Sequence, residues 1–515
     1  MDSPHPVTHR DARSHRGRRS LAWDAWALGA LVISVGFRAV ALHRGGGWSG
    51  TLPYDSAVYF VSSINLLHGT LPYRDFLFLH PPGIALVLAP FAALSTALGE
   101  PLAFTIAKIS WMVIGGINAA LCGVILRHRG TLIATGAALS YAVAVAAIQD
   151  EVVPMLEAPA NLILLLSILV LGLGAERPVE VTARRAFLVG LMLGLSPVIK
   201  IWGVVFVAII VVGLAIRGTL RAAASLLAGV AATGLAVCLP FFLIAPQTMW
   251  RMVVVDQLGR PRSGRPLVER VNDILGLEVH GDVLHTSPAT VLLTAGLVAA
   301  GILCLKQPGS RFIATLLAAT VALAMSTPRW FDFYAAVTIV PTVLVAWSGL
   351  AIGLERLRQR QSLIRALLSV AVLLAFVVPS LPLLTERSLL GGTRFPSGWA
   401  TRTVTSRPGC ILSDSPNALI QMNVVRRNLD RGCRPDADIH GISHDMVGPE
   451  RNIDRRSSPA YQAYILDYLR SGDTVLIAQR IGASAYMSAT TKKIVSSWDR
   501  LDQRGPFVFR IPDRR

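Results

Sequence analysis

Residues 102–126 read LAFTIAKISWMVIGGINAALCGVIL, an apolar stretch with one lysine and no acidic residue. A helix of about 17–25 apolar residues can cross the hydrocarbon core of a bilayer. The chain has 515 residues, of which 53% are hydrophobic and 16% are charged. An ordinary soluble domain is roughly 45–50% apolar and about 25% charged. The composition therefore predicts a membrane protein and argues against a water-soluble enzyme.

Stretches of the same kind recur through most of the chain and predict about eleven transmembrane helices. They lie near 23–42, 102–126, 131–149, 158–175, 186–200, 201–216, 222–245, 289–306, 310–327, 333–352 and 363–384. The segment 186–216 could instead be one broken helix, because Pro197 and Lys200 interrupt it.

The balance of 49 Lys and Arg against 31 Asp and Glu gives a formal net charge of +18. The basic residues fall between the apolar stretches, so they indicate membrane topology and not a nucleic-acid partner. The arginine-rich tail 1–22 places the N-terminus in the cytoplasm, followed by an uncleaved signal anchor whose outer end lies around Arg38. We therefore expect a multi-pass plasma-membrane protein with two long outer loops, 43–101 and 246–288.

Residues 385–515, which follow the transmembrane core 23–384, are polar and alternate strand-like with helical runs. The strand-like runs are 410–412, 474–478 and 507–511, and the helical run is 460–469. This pattern is typical of a small α/β domain. Eleven spans from a cytoplasmic start place this domain outside the cytoplasm.

Cysteine use favours the same placement. Cys410 and Cys433 are the only two cysteines after the last span, and they could form a disulfide in an oxidising compartment. The other three lie in apolar spans, where a thiol behaves as a small hydrophobic group.

The first outer loop is the richest in candidate chemistry. Residues 56–68 have apolar positions at helical spacing and end before Gly69, which predicts a short amphipathic helix at the membrane surface. Asp55 stands at the start of this helix. It could cap the helix by accepting a backbone N–H bond, or it could act as a base at the mouth of a membrane cavity.

The run His80-Pro81-Pro82-Gly83 starts a second helix over 84–98, which we expect to be re-entrant or interfacial.

These residues resemble a family, the polyprenyl-phosphate-sugar-dependent membrane glycosyltransferases of the GT-C superfamily, and most of all the actinobacterial mannosyl- and arabinofuranosyltransferases. The likeness rests on Asp55 soon after the first span, on Pro72-Tyr73, on His80-Pro81-Pro82-Gly83 and on Ala89-Pro90-Phe91. Two further segments look similar, the helix 195–200 that ends in a lysine and the polar-aromatic turn 329–334.

The resemblance implies an inverting transfer of one sugar, of the mannose or arabinofuranose class, from a polyprenyl monophosphate donor. The acceptor would be a hydroxyl of a glycan or glycolipid on the outer face, with membrane lipids around the protein. Asp55 would be the base, and Lys200, His80 and Arg329 would contact the donor phosphate. Lys200 could alternatively extend from a helix end to the lipid headgroups.

Other acids could contact the acceptor or provide a second carboxylate. The candidates are Asp75, Glu151 and Asp332, and Asp150 and Glu157 flank Glu151 in the sequence. There are simpler interpretations of these acids. Asp75 could form a solvated ion pair with Arg74, and residues 150–157 could be an acidic turn on the surface. In the second outer loop Arg251, Arg260, Arg262 and Arg265 could clamp phosphate or glycan, or could simply be solvated.

The sequence identifies no cofactor, and it leaves a divalent metal open as an alternative. The candidate metal ligands are His440 with His444, spaced i, i+4, and the group His280, Asp282 and His285.

The alternative function is a lipid-linked sugar flippase or another polytopic transporter, which would share the spans and the basic loops. A transporter should carry intramembrane charges on several helices and often two repeated halves. The sequence has no such repeat, and its acids concentrate in one outer loop. A membrane anchor for a binding domain would not need eleven spans.

Overall fold

The computed structural model describes residues 15–51, 53–174, 180–260, 265–277, 287–356, 361–385, 392–446, 453–479 and 482–513. Arg262, His280, Asp282 and His285 lie outside the described residues. The described chain is a polytopic bundle of helices followed by a region with a small sheet.

The helices of the bundle are α1 His15–Arg44, α2 Tyr54–Leu67, α3 Gly83–Leu98, α4 Glu100–Leu126, α5 Thr131–Val143, α6 Val145–Glu151, α7 Glu157–Leu171, α8 Ala183–Leu193, α9 Leu195–Ile199, α10 Gly203–Ile216, α11 Leu220–Ile244, α12 Pro246–Trp250, α13 Asp256–Leu258, α14 Leu267–Leu275, α15 Pro288–Lys306, α16 Arg311–Ser326, α17 Ala336–Glu355 and α18 Ser362–Thr385. Each predicted span coincides with one of these helices or with a broken pair of them.

Among the described residues, six helical segments are long and apolar enough to cross a membrane: Ala25–Arg44, Glu100–Arg129, Leu220–Ile244, Pro288–Lys306, Asp332–Glu355 and Ser362–Thr385. The pair α5 and α6, bent by 55°, makes a seventh if it counts as one span. Four shorter apolar helices, α3, α7, α10 and α16, complete the apolar set. The predicted helix 84–98 is therefore present as α3, and it is too short to count as a full span.

The segment ending in α17 forms the centre of the bundle. In its most apolar window 89% of the residues are buried, against 11% in α15 and 17% in α11. Because lipid is as apolar as a protein core, outer helices of a membrane bundle keep apolar side chains on their exposed faces. The two peripheral helices α11 and α15 fit that pattern.

Helices α8 and α11 touch through glycines. A Cβ on Gly190 would clash with the backbone carbonyl of Leu226, and a Cβ on Gly229 would clash with that of Phe187. Small residues let helix backbones approach closely where no hydrophobic force drives association within a membrane. This contact fixes the helix that leads to Lys200.

Helical structure stops at Lys200, as the broken-helix reading of 186–216 expected. Helix α9 ends at Ile199, Lys200 is extended with φ −142° and ψ 125°, and α10 begins at Gly203. The lysine therefore stands at a helix break inside the bundle.

Arg38 does not lie at an outer helix end, where the sequence interpretation put it. It is fully buried within α1 and forms an ion pair with Glu151. Its Nη1 also donates to Ser34 Oγ and to the Ala142 carbonyl, both at 2.6 Å. Hydrogen bonds to all sides allow this charge to be buried.

The C-terminal region contains α19 Ser397–Thr405, β1 Ile411–Ser413, α20 Pro416–Met422, α21 Val425–Asp430, α22 Ile442–Asp445, α23 Pro459–Arg470, β2 Thr474–Ala478, α24 Ala489–Ser497, β3 Asp499–Arg504 and β4 Phe507–Ile511. Its sheet has the order β1-β2-β4-β3, in which β1 pairs parallel to β2 and the other pairs are antiparallel. The α/β prediction is therefore correct, although β3 was not expected.

Cys410 and Cys433 are joined by a disulfide across 23 residues, and Cys122, Cys238 and Cys304 are free.

The C-terminal region rests on the segment 43–101, which we call the first loop. Asn65 Nδ2 donates to the Pro435 carbonyl at 2.7 Å, and Asn417 Nδ2 donates to the Thr51 carbonyl at 2.9 Å. Glu100 accepts the backbone N–H bonds that open α21, at 3.1 and 2.8 Å. These polar contacts hold the C-terminal region against both ends of α2 and against the start of α4.

Candidate active site

Asp55 lies in the first turn of α2. This helix begins at Tyr54, two residues before the predicted start at residue 56, and Asp55 makes no capping hydrogen bond. Its carboxylate has no hydrogen bond to any residue that the structure describes. The capping alternative is therefore wrong, and the carboxylate is available to a ligand.

The surroundings of Asp55 raise the pKa of its carboxyl group to about 6. Burial is the largest cause, and the negative charge of Asp438 is the second. The cations Arg260 and Lys200 act in the opposite direction. A carboxyl group with a pKa near neutrality is suited to exchange a proton at physiological pH.

Lys200 is enclosed by aromatic rings and by an acid. Its ammonium group forms an ion pair with Glu157 and lies 4.0 Å from the ring centre of Trp202 and 4.4 Å from that of Tyr334. The residue is only 7% exposed. Lys200 therefore does not extend to the lipid headgroups, and that alternative is wrong.

The acids of the segment 150–157 are buried, so the reading of an acidic surface turn is wrong. Asp150, Glu151 and Glu157 are at most 2% exposed. Asp150 lies close enough to Glu157 to interact with it, and neither of its oxygens has a hydrogen-bond donor among the described residues.

The Pro-Pro-Gly run brings the first loop to the helix that carries Lys200. A Cβ on Gly83 would clash with the backbone carbonyl of Val198, so only glycine permits this approach. Pro82 precedes the first residue of α3, where the missing N–H of proline has no cost. The Pro-Pro-Gly run, which carries part of the family resemblance, therefore packs α3 against the segment that contains Lys200.

His80 faces the same space. Its Nε2 is 3.3 Å from the Tyr59 hydroxyl, and the Tyr73 hydroxyl donates to its backbone carbonyl at 2.6 Å. Burial, together with Arg260 and Lys200, holds the pKa of the imidazole well below its ordinary value. His80 is therefore neutral and can offer a hydrogen bond but no charge.

Two arginines supply further positive charge. Arg260 donates to the Tyr334 hydroxyl at 3.4 Å, and its buried Nε has no hydrogen-bond partner among the described residues. Arg329 lies over the ring of Phe331, 5.5 Å from its centre, and interacts electrostatically with Arg260 and Arg455. Clustered arginines of this kind form a receptor for an anion.

The C-terminal region contributes a second carboxylate. Asp438 accepts the Gly441 backbone N–H at 2.7 Å and a hydrogen bond from the Tyr54 hydroxyl. Burial is the largest cause that raises the pKa of Asp438, and Arg455 and Arg260 oppose it. The first loop and the C-terminal region thus place two acids next to each other.

Three predicted site residues are elsewhere. Asp75 bonds Arg74 at 2.8 and 2.7 Å on the surface, which holds the pKa of Asp75 below its ordinary value. The Asp332 side chain is 60% exposed and pairs with Arg265. Glu151 is committed to Arg38 in the core. The structure therefore does not bring these acids to Asp55.

Sequence reasoning gave Asp438 no role and treated Arg260 as one of four equal candidates. No local spacing distinguishes Asp438, because its neighbours in the site come from distant parts of the chain. The sequence pointed to this part of the chain only through the neighbouring His440, which was a candidate metal ligand.

In the part of the chain that the structure describes, no three His, Cys, Asp or Glu side chains come together in a way that could hold a metal ion. The pair Asp55 and Asp438 is instead flanked by Arg260, and His440 and His444 do not join it in a ligand set.

No protein-family model matches the chain, and no curated protein matches it. Solved structures do resemble it. ArnT from Cupriavidus metallidurans bound to undecaprenyl phosphate aligns over 96% of this chain and 98% of its own, with 13% identity and a TM-score of 0.60. The oligosaccharyltransferase AglB from Archaeoglobus fulgidus, in complex with an inhibitory peptide and a dolichol-phosphate, aligns over 88% of this chain and 69% of its own, with 14% identity and a TM-score of 0.50. At these identities the likeness establishes the fold alone.

Proposed function

We propose that this chain, which has the fold of the GT-C glycosyltransferase superfamily, is an inverting membrane glycosyltransferase. It would move a single sugar from a polyprenyl monophosphate to a hydroxyl of a glycan or glycolipid acceptor. Within one site, an available carboxylate beside several cations supports this chemistry. The reaction needs a base for the acceptor proton and positive charge for the leaving phosphate.

The single observation that carries the proposal is the state of Asp55. Its carboxylate has no hydrogen-bond partner among the described residues, and the pKa is raised to about 6. In the proposed step the acceptor hydroxyl gives its proton to Asp55 while its oxygen forms a bond to the anomeric carbon. The bond from that carbon to the phosphate oxygen breaks, and the phosphate leaves with the electron pair. Attack opposite the leaving group inverts the anomeric centre.

The donor phosphate would be held by Arg260, Arg329 and Lys200. Lys200 already pairs with Glu157, so an incoming phosphate would share its charge with that acid. The two arginines have no ion pair with an acid in the described part of the chain, and Arg can bind phosphate with two N–H groups at once. His80 would add a neutral hydrogen bond.

The acceptor side would use Asp438 as the second acid, in place of Asp75, Glu151 and Asp332. Asp438 faces Asp55, whereas the other three are paired elsewhere. The mannose or arabinofuranose class of the sugar is supported only by the likeness of the first loop to actinobacterial transferases.

The transporter alternative has less support. The charged side chains of the site come together where the first loop meets the C-terminal region. Inside the bundle, Arg38 is already paired with Glu151, so a transported substrate could bind either charge only if this ion pair broke.

The test is to incubate the purified full-length protein with a panel of polyprenyl-phosphate sugars and a panel of octyl glycosides as acceptors. We expect one donor class to give an elongated glycoside with inverted anomeric configuration. A transporter would give none with any donor, and a retained configuration would contradict the role of Asp55.

We also propose that the C-terminal region lies outside the cytoplasm. A reporter fused after Arg515 should then be active only on the outer side, and Cys410 and Cys433 should resist alkylation in cells until they are reduced. Cytoplasmic reporter activity would contradict the proposed orientation.

A further inference from the structure

A small polar cavity lies beside Lys200 inside the bundle. Glu157, Asn161, Lys200 and Trp202 are among the residues that line it, and its volume is about 10 Å³. A volume on the order of 10 Å³, counted as the space open to a water molecule, holds one water and no larger ligand. The cavity therefore has the size of a site for a single water.

Two oxygen atoms at this cavity lack a donor. Glu157 and Asn161 lie one turn apart on the same side of α7 and are at most 2% exposed. Glu157 Oε1 accepts from Lys200, whereas Oε2 is buried without a partner among the described residues. Asn161 Nδ2 donates to the Ala336 carbonyl at 3.0 Å, which orients the amide, and its buried Oδ1 has no partner there either. Buried acceptors without a donor are uncommon in native proteins and call for an explanation.

No donor among the described side chains around the cavity is bonded to these two oxygens. Lys200 lines the same cavity and has N–H groups left over, but it bonds neither Glu157 Oε2 nor Asn161 Oδ1. Ser196 Oγ is also buried and without a partner among the described residues, and a Cβ on Gly203 of the cavity wall would come within 2.5 Å of it. Unsatisfied polar atoms therefore come together around a space of the size of one water.

A single water would satisfy these groups together. It has two O–H donors, one for Glu157 Oε2 and one for Asn161 Oδ1, and its lone pairs can accept from the Lys200 ammonium group or from Ser196 Oγ. Buried waters in proteins make about three hydrogen bonds to groups that otherwise lack a partner. Asp150, the other acid near Glu157, does not line this cavity.

We propose that a buried water bridges Asn161 to Glu157 in this cavity and that Asn161 is thereby a positioning residue for Lys200. This inference rests on the proposed function, in which Lys200 contacts the donor phosphate. The water takes up part of the negative charge of Glu157, so the ammonium group is not fully neutralised and can be shared with the phosphate. Asn161 itself does not touch the substrate.

The kinetic test uses the full-length protein with the donor and the octyl glycoside that are active in the panel. Asn161→Leu keeps the size of the side chain and removes the water's acceptor. Glu157 would then turn both oxygens to Lys200, and the phosphate would compete with it for the ammonium group. We expect the KM for the donor to rise about 3- to 10-fold, the usual worth of one hydrogen bond. The KM for the glycoside should stay near the native value.

A double-mutant cycle separates this role from a structural one. If Asn161 acts through Glu157, then Asn161→Leu should have almost no further effect on the donor KM in a Glu157→Gln background. Loss of the bond to Ala336 alone would act equally in both backgrounds. Thr338→Val is the matched control, because it removes a bond to the adjacent Ala335 carbonyl at the start of α17 and does not touch the cavity. Its donor KM should stay native.

A map of the native protein at a resolution that shows ordered waters tests the bridge directly, and it does so even if no variant folds. We expect one water within hydrogen-bond distance of Glu157 Oε2 and Asn161 Oδ1. A map without this water would overturn the proposal, and so would an unchanged donor KM in Asn161→Leu or an equal effect in both backgrounds of the cycle. Absence of transfer by the native protein, with the water in place, would instead refute the proposed function.

Discussion

Two carboxylates of the helical bundle, Glu151 and Asp55, have opposite surroundings. Glu151 is fully buried and pairs with Arg38, and it accepts further hydrogen bonds from Asn118 at 3.0 Å and Tyr141 at 2.8 Å. Asp55 accepts none from the described residues and faces a second acid, Asp438. A buried charge with all its partners serves folding, whereas an acid held next to a like charge has a function in many proteins.

The same chemical change should therefore have opposite effects at the two positions. Carboxylate to amide conserves size and shape and removes only the charge and the ability to take a proton. At Asp55 the change should lower activity, and at Glu151 it should lower stability.

The largest expected effect is that of Asp55→Asn on transfer. The rate should fall about 10²- to 10⁴-fold, the usual worth of a positioned general base. The free energy of unfolding should not fall and should rise at neutral pH, because the raised pKa means that the folded protein holds this carboxylate charge at a cost that the amide removes. Turnover with the active donor and thermal unfolding in detergent measure the two quantities.

Asp75→Asn is the matched control for Asp55→Asn, since Asp75 forms an exposed ion pair with Arg74. Exposed pairs contribute little, so transfer and stability should both stay near the native values. Native transfer by Asp55→Asn would refute the base assignment, and Asp438→Asn would then be assayed in the same way.

Glu151→Gln should mainly destabilise the protein, by on the order of 3 kcal/mol, because it leaves Arg38 buried without its counter-charge. The protein that remains folded should transfer sugar at nearly the native rate. Unfolding in mixed detergent micelles measures the loss.

A double variant sharpens this prediction. Arg38→Met with Glu151→Leu removes both charges and should recover most of the lost stability, since an apolar pair of similar volume can replace a buried ion pair. A loss of transfer without a loss of stability in Glu151→Gln would show instead that Glu151 belongs to the active site.

Lys200 combines features of Glu151 and Asp55, because it forms an ion pair with Glu157 and also lies in the candidate active site. Lys200→Ala should lower kcat/KM for the donor about 10- to 100-fold, the range expected for a hydrogen bond to a charged group. Lys200→Arg should lose less, because it keeps the positive charge. Titration of the donor at saturating acceptor measures both.

The ion pair with Glu157 supplies the discriminating control. If Lys200 only neutralises Glu157, then Lys200→Met with Glu157→Gln should restore transfer. We expect no restoration, because the phosphate still lacks its cation.

The smallest expected effect is a shift in pH dependence. Asp55 must be ionised to act as a base, so transfer should fall as the pH drops through the pKa of about 6. Asp438→Asn removes the like charge that raises this pKa, so the acidic limb should move to lower pH. Arg260 and Lys200 already lower the pKa of Asp55, and removing either charge should move the limb to higher pH. If none of the three substitutions moved the acidic limb of the pH–rate profile, a group other than Asp55 would be the one that titrates there.

The regular parts of the fold could be predicted because their signal is local. The apolar spans lie within a few residues of the observed helices, and the runs 474–478 and 507–511 match β2 and β4 residue for residue. Each of these elements buries a contiguous apolar surface, which composition reports directly.

Strand β3 shows where local reasoning ends. Its sequence Asp499-Arg500-Leu501-Asp502-Gln503-Arg504 has one apolar residue, and nearly all of it is exposed at the sheet edge. Charged side chains on an edge strand discourage pairing with other chains. Only its hydrogen bonds to β4 make it a strand, and these depend on the sheet already being formed.

The amino-acid sequence by itself determined the membrane class, the helix break at Lys200 and the candidacy of Asp55, because hydropathy, helix breakers and acids at helix starts are properties of short segments. The tertiary structure alone decided which charges meet. It buried Glu151 against Arg38, paired Lys200 with Glu157, and brought Asp438 and His440 to Asp55 from almost 400 residues further along the chain. Electrostatic interaction depends on distance in space and on the partners that replace water, and neither quantity is written in the spacing of residues along the chain.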